Sequence, residues 1–525
     1  MTLSRRSVLR LAGVAAATCS RRASAADTLP AIAPGPFQGT RESLHAYNVP
    51  DWFGAAKLGI WAHWGPQSSA EYGDWYARRM YEEGSLQYKY HVKTYGHPSQ
   101  FGYKDLCRSW KAENFDPEHL MDLYQKAGAK YFVSMGVHHD NFDLWNSKYH
   151  STWNSVATGP RKDIVGLFRK AALKRGMKFG VSEHLGPSYH WFGPAYGSDK
   201  VGPYAGVPYD GRDPRYAELY HPFHEIPERQ PNRPKVLDDA ATMPDAWKRE
   251  YVLRLQDLID NYQPDLLYTD GPIRYEEWGL ATIAHLYNRS AQRNHGTVEA
   301  VYNAKGVNDC AAGTCVLDLE RGLRDKIWDT PWQTDTCVGQ FHYNRELYTN
   351  NKYRTPKMII DQFVDIVSRN GNLLLNFPLR SDGTLDDKEL AILEDFTKWM
   401  AVNSEAIHGT RPWKILGEGP GAEKPPVGRY NEGARKELTA SDVRFTTRGS
   451  TIYAILMGRP GDHASIAALA SNGKYAAGKI LNVGLLGYKG KLKWRQGESA
   501  LSVDLPSEKM LEKSSEYAVT LKVQI

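Results

Sequence analysis

From about residue 50 the chain alternates short apolar runs with amphipathic stretches. The runs at 58–64, 131–138, 178–185, 266–270, 300–304, 316–320 and 371–377 read as strands. Between them apolar residues recur at helical spacing. Leu120, Met121, Leu123 and Tyr124 mark 117–129; Ile164, Leu167, Phe168 and Ala171 mark 164–175; Tyr251, Leu253, Leu255 and Leu258 mark 246–262. Helices between strands imply parallel βα units. Seven or eight such units over roughly 350 residues predict an α/β fold, a (β/α)8-like (TIM) barrel. Residues 190–245, rich in Pro, Gly, Tyr and Asp, break the rhythm. A long loop after a barrel strand falls on the C-terminal face, so this stretch is expected to shape a substrate site. After residue 412 the pattern changes to short runs at 443–447, 451–457, 479–483, 491–494 and 517–524, separated by Gly, Asn and Pro. That predicts an all-β sandwich. The expected organisation is an extended lead-in at 26–45, a barrel domain at 46–412 and a C-terminal β-sandwich at 413–525.

A length of 525 residues agrees with more than one core. Residues 1–25 read as an export signal: paired Arg5 and Arg6, an apolar stretch from Leu11 to Thr18, and Ala23-Ser24-Ala25 as a cleavage site. The arginines point to a twin-arginine signal, with an ordinary secretory signal as the rival. The expected location is therefore periplasmic or extracellular. Residues 1–25 hold five Arg and no acid, so without them the net charge falls from +6 to +1. Nothing in that balance calls for nucleic acid. No later stretch reaches 18 apolar residues, so no membrane span is expected. Four cysteines remain. Cys310 and Cys315 could close a small loop or bind zinc, and free thiols are the default expectation for all four.

Three polar clusters end predicted strands, where a barrel places its chemistry. The first is His63 in Gly59-Ile60-Trp61-Ala62-His63-Trp64-Gly65. The second is His138-His139-Asp140. The third is Tyr268-Thr269-Asp270-Gly271, in which period-two alternation puts Leu266, Tyr268 and Asp270 on one face. Asp270 could be catalytic or an N-cap. His138-His139-Asp140 could bind a metal, but neighbours on a strand face opposite ways, and imidazoles that bond sugar hydroxyls explain them equally well. No metal and no cofactor are expected.

Taken together, these segments resemble glycoside hydrolase family 29, the α-L-fucosidases. Ala56-Lys57-Leu58-Gly59-Ile60-Trp61-Ala62-His63-Trp64-Gly65 resembles the family's AKFGIFIHWG strand. Asp74-Trp75-Tyr76 resembles its EWY segment, and Val137-His138-His139-Asp140-Asn141-Phe142-Asp143-Leu144-Trp145 its KHHDGFALW segment. Tyr262-Gln263-Pro264-Asp265-Leu266-Leu267-Tyr268-Thr269-Asp270-Gly271 resembles YKPDLIWFDG, and Asn370-Gly371-Asn372-Leu373-Leu374-Leu375-Asn376 resembles NGNLLLNIGP. The resemblance spans about residues 50–412, and the β-rich tail resembles the family's C-terminal sandwich.

The resemblance implies a retaining exo-glycosidase acting by double displacement on terminal α-L-fucosides of an oligosaccharide or polysaccharide. Asp270 falls on the nucleophile. His63, His138, His139 and His184 fall among sugar-binding positions, with Trp75, Asp74, Tyr268 and Gln333 also expected to contact substrate. Asp74 replaces the usual Glu, and Tyr268 the usual Trp. The acid/base drifts in position within the family, and many members carry it in a WE segment. The similar segment here is Pro331-Trp332-Gln333-Thr334-Asp335, where Gln333 cannot move a proton. Glu320 is the expected acid/base, with Glu183 and Asp335 in reserve. Related readings are an α-L-galactosidase and a sugar-binding protein without a proton donor.

Overall fold

The computed structural model describes residues 28–227, 237, 239–422, 428–507 and 516–525. The signal reading at 1–25 lies outside them. Eight parallel strands form one sheet: β1 (Leu58–Ala62), β2 (Tyr131–Val137), β3 (Lys178–Glu183), β4 (Leu266–Thr269), β5 (Val301–Ala304), β6 (Val316–Leu317), β7 (Trp332–Cys337) and β8 (Gly371–Asn376). Their order is β6-β5-β4-β3-β2-β1-β8-β7, the order of a TIM-like barrel. Ile60 of β1 pairs with Phe132 of β2 on one side and Leu375 of β8 on the other. These strands are near-continuous apolar runs because helices cover one face and the barrel interior the other. Gly59 is required inside: a Cβ there would meet the Tyr131 ring at 2.2 Å. The ring closes weakly between β6 and β7. A single bridge, Asp318 to Gln333, and N–H bonds from Leu319 and Arg321 to the carbonyls of Gln333 and Asp335 span that seam.

The helices Pro117–Lys126, Ile164–Lys174 and Asp245–Tyr262 fall where the periodicity predicts. Asp116 and Asp163 cap the first two by accepting from His119 and Gly166. Arg254, fully buried on the third, donates to Asn141 and pairs with Asp143, pinning the loop after β2. Arg254→Met is expected to cost about 3–5 kcal/mol by leaving Asp143 uncompensated. A chemical denaturation midpoint equal to that of the parent chain would refute this. The lead-in runs along the helix Glu277–Arg293, where Ala33 and Phe37 donate to His285 and Asn288. The stretch 190–245 holds short helical turns tied together by tyrosines around Asp199 and Asp210.

The tail adds β9 (Arg411–Glu418), β10 (Val443–Arg448), β11 (Thr451–Leu456), β12 (His463–Ile466), β13 (Asn482–Leu485), β14 (Trp494–Gln496), β15 (Leu501–Asp504) and β16 (Val519–Gln524). They form two antiparallel sheets, β13-β16-β11-β10-β9 and β12-β15-β14. β11 is buried on both faces. Ile452, Ala454 and Leu456 join the tail's own core, while Tyr453 and Ile455 join the barrel's. Cys310 and Cys315 form a disulfide, correcting the free-thiol default, because the turn after the helix Val307–Ala311 brings their Cα atoms to 4.7 Å. Cys107 and Cys337 are buried free thiols. Among the described residues no helix is long and apolar enough to cross a membrane.

Candidate active site

A cleft of about 900 Å³ opens at the C-terminal ends of the barrel strands. One polar residue follows almost every strand into it. His63 comes directly after β1, His138 and His139 after β2, His184 after β3, Asp270 after β4 and Lys305 after β5. Glu320 lies three residues past β6. Ile226 and Leu237 bring the 190–245 stretch to the wall, as a site-shaping insertion would.

Lys305 organises the chemistry. Its Nζ donates to Asp270 Oδ1 at 2.7 Å and to Glu320 Oε2 at 2.6 Å. The bridged oxygens therefore cannot be farther apart than the two contacts end to end. That bound lies within the roughly 5–5.5 Å of retaining glycosidases and short of the roughly 6.5–9.5 Å that inverting enzymes need. Asp270 Oδ2 faces His139 Nε2 and His184 Nδ1, each at 3.4 Å. His139 is aimed by its Nδ1, which donates to the His184 carbonyl at 2.7 Å. Burial alone would raise the Asp270 pKa, but Lys305, then His184 and His139, outweigh it and hold the carboxyl well below the usual carboxylate range. Burial also pushes Glu320 up, and so does the Asp270 charge, yet Lys305 and the hydroxyl of Tyr430 leave it below its ordinary value. Gly271, at φ 127°, lets Arg274 fold back onto the Asp270 carbonyl; a Cβ would collide with the guanidinium.

The imidazoles cluster beside Asp270, the His63 and His138 rings each 5.0 Å from that of His184. Burial first, and then the neighbouring histidines, push His63 and His138 well below their usual pKa, so both are neutral. Gln67 Nε2 donates to His138 Nδ1 at 2.7 Å, which leaves His138 Nε2 carrying the proton. His63 Nδ1, His184 Nε2 and His342 Nε2 are buried without a hydrogen-bond partner among the described residues. The neutral rings of His63 and His138 suit hydrogen bonds with sugar hydroxyls. Two triads, His63-His138-His342 and His138-His139-His184, each lie close enough to share a cation. The opposite-faces argument against this fails, because β2 ends at Val137 and the two rings beyond it lie 4.3 Å apart.

Asp74 and Trp75 also line the cleft. The Asp74 oxygens accept from the backbone N–H groups of Phe341 and His342, so Asp74 orients His342, which sequence reasoning did not single out. Two expected substrate contacts lie elsewhere. Tyr268 is fully buried beneath the floor, its hydroxyl on Asp335 at 3.1 Å. Gln333 points into the barrel interior, between Asp318 and the Tyr131 hydroxyl. Its lack of a carboxyl therefore removes nothing from the cleft. Glu183 is also outside it, bonded to Tyr251, Thr269 and the Leu185 N–H. Asp335 reaches the floor, 3.7 Å from Lys305. Burial, then the charge of Asp335, pushes Asp318 far above the carboxylate range, so it is the protonated partner of that pair. Lys305 itself was missed, although it is the first polar residue after a predicted strand, the signal used for Asp270. Arg429 and Tyr430 also line the cleft and had no such signal.

Residues 24–405 match the family described as Alpha-L-fucosidase, and residues 435–524 match its C-terminal domain. The chain is 28% identical to the tissue alpha-L-fucosidase of Homo sapiens, over 92% of this chain and 90% of that protein. It is likewise 28% identical to the human plasma alpha-L-fucosidase, over 82% and 83%. The crystal structure of Thermotoga maritima alpha-fucosidase superposes with a TM-score of 0.68 at 25% identity, covering 93% of this chain and all of that one. With both spans matched and the barrel mouth carrying a lysine-bridged carboxylate pair, the chain belongs to the α-L-fucosidases of glycoside hydrolase family 29, enzymes that hydrolyse α-L-fucosides.

Proposed function

We propose that the protein is an exported, retaining exo-α-L-fucosidase working by double displacement, with Asp270 as nucleophile and Glu320 as acid/base. The observation that carries this reading is the Lys305 bridge, which keeps the two carboxylates at retaining distance. Asp270, held ionised, attacks the anomeric carbon while Glu320 passes a proton to the departing oxygen. In the resting site the Asp270 charge raises the Glu320 pKa against the larger lowering by Lys305 and Tyr430. Once Asp270 is esterified that push is gone and the Lys305 charge is no longer shared. The Glu320 pKa then falls, so after giving its proton to the leaving group it stays ionised and is free to take one from the attacking water. The neutral His63 and His138 hold sugar hydroxyls, and Trp75, whose ring packs edge-on to His139 at 5.8 Å, forms the side wall. The signal-like residues 1–25 and the Cys310–Cys315 disulfide support export to a periplasmic or extracellular space.

Hydrolysis of an aryl α-L-fucoside, followed by NMR at the anomeric proton, tests the reading. The first sugar released is expected to be the α-anomer. A β-anomer appearing first would rule out double displacement. The matching α-L-galactoside, run alongside, is expected to turn over more slowly. Preference for it would shift the substrate reading to the galactoside.

A further inference from the structure

Residues 428–434, in the connection between β9 and β10 of the tail, reach back over the cleft. They fall between the two matched spans, 24–405 and 435–524. Gly428 bridges to Leu323, the Tyr430 N–H donates to the Glu320 carbonyl, and the Glu432 N–H donates to the Arg321 carbonyl. Glu432 anchors the segment by accepting from Thr336 at 2.6 Å and pairing with Arg321 and Arg354. Gly322 makes room for it, since a Cβ there would meet the Gly428 carbonyl at 2.5 Å. Tyr430 takes a left-handed φ of 58°, an unfavourable conformation for a residue with a bulky side chain, and the residue is 61% exposed. Neither burial nor backbone preference explains it. Its hydroxyl does something specific: it donates to Glu320 Oε2 at 2.7 Å. Arg429 Nη2 donates to the same oxygen at 2.7 Å, as Lys305 does at 2.6 Å. Three donors thus converge on Oε2, while Oε1 receives none among the described residues.

We propose that Arg429 and Tyr430 are positioning residues for the proton donor, pinning Glu320 Oε2 so that Oε1 is the oxygen that gives and takes the catalytic proton. The inference rests on Glu320 being the acid/base. This tail segment thereby becomes part of the catalytic centre, and its cation helps set the pH at which the donor loses its proton. The charged groups facing Glu320 are Lys305 from the end of β5, Asp270 from the end of β4, Asp335 from β7, its neighbour Arg321, and Arg429. Removing Arg429 takes away one of the two cations that bond Oε2, so Glu320 holds its proton to higher pH.

The test is the pH profile of kcat/KM for the full chain and for Arg429→Gln, Arg429→Lys, Tyr430→Phe and Glu320→Ala, with aryl α-L-fucosides of good and poor leaving groups. The alkaline limb, which follows loss of the donor's proton, is expected to move up by about one pH unit in Arg429→Gln. It should move less in Tyr430→Phe and return towards the parent position in Arg429→Lys. A merely structural role would lower the rate at every pH and leave the limb in place. Should Arg429→Gln not fold, Tyr430→Phe removes only one exposed hydroxyl and reads the same shift. Unmoved limbs in both variants, with Glu320→Ala losing activity mainly on poor leaving groups, would overturn this inference alone. Glu320→Ala indistinguishable from the parent would overturn the acid/base assignment and the inference with it.

Discussion

Asp270→Gly is expected to lower kcat by at least about 10³-fold, about 4 kcal/mol of activation free energy, while the fold survives. On the proposed reading the Asp270 carboxylate attacks the anomeric carbon, and that work does not pass to His139 and His184, which face its Oδ2. Survival of the fold follows from the charge arrangement. Lys305 retains Glu320 as a partner when Asp270 is gone, so no cation is left buried alone. Added azide is expected to restore turnover by occupying the vacated space. It would attack from the face opposite the leaving group and give a β-L-fucosyl azide. Unchanged kcat, or azide rescue giving the α-azide, would remove Asp270 from the nucleophile's role.

Glu320→Ala is expected to act on the other half of the cycle. General acid catalysis contributes typically about 10²–10⁴-fold. It is needed most where the departing oxygen is a poor leaving group. Rates on fucosides of alkyl or sugar alcohols should therefore fall by that amount, and rates on activated aryl fucosides much less in the first step. Azide should again rescue, but here it intercepts the glycosyl-enzyme from the side the aglycone left, so the product is the α-L-fucosyl azide. Opposite azide anomers from the two variants would assign both carboxylates in one experiment. If the loss in Glu320→Ala were equal for all leaving groups, Asp335, 3.7 Å from Lys305, would become the next candidate.

Much of the barrel was legible because its strands are buried on both faces and read as apolar runs. β7 was not. Trp332-Gln333-Thr334-Asp335-Thr336-Cys337 is wholly buried but carries Gln, Thr and Asp, because it underlies the cleft and satisfies its polar groups across the barrel. β9, β12 and β15 were missed as well; the first carries mixed polar and apolar residues with partial exposure, and the other two are four-residue strands. At the site, strand-end positions found Asp270 and the histidines. They over-reached at Tyr268, where alternation gave the right face but not the depth. Gln333 was placed by likeness to a segment whose side chain here turns inward. Lys305 was legible in principle. Arg429 and Tyr430 were not, since they come from a segment with no periodicity, over a hundred positions from their target in sequence.

The weak seam has a bearing on descent. Asp270 follows a strand laddered to neighbours on both sides, so a residue gained or lost there would shift register and turn side chains to the wrong face. Glu320 follows a two-residue strand whose far side is closed by one bridge and a few backbone bonds. Insertions and deletions between Leu317 and Trp332 disturb little pairing. On the proposed assignment the seam would tolerate a shift in the position of the proton donor more readily than the β4 end would tolerate a shift of Asp270. Each such move must be matched by a change in the strap that reaches over from the tail. A tail exchanged for one without Arg429 and Tyr430 is therefore expected to leave Glu320 with Lys305 as its remaining partner on Oε2.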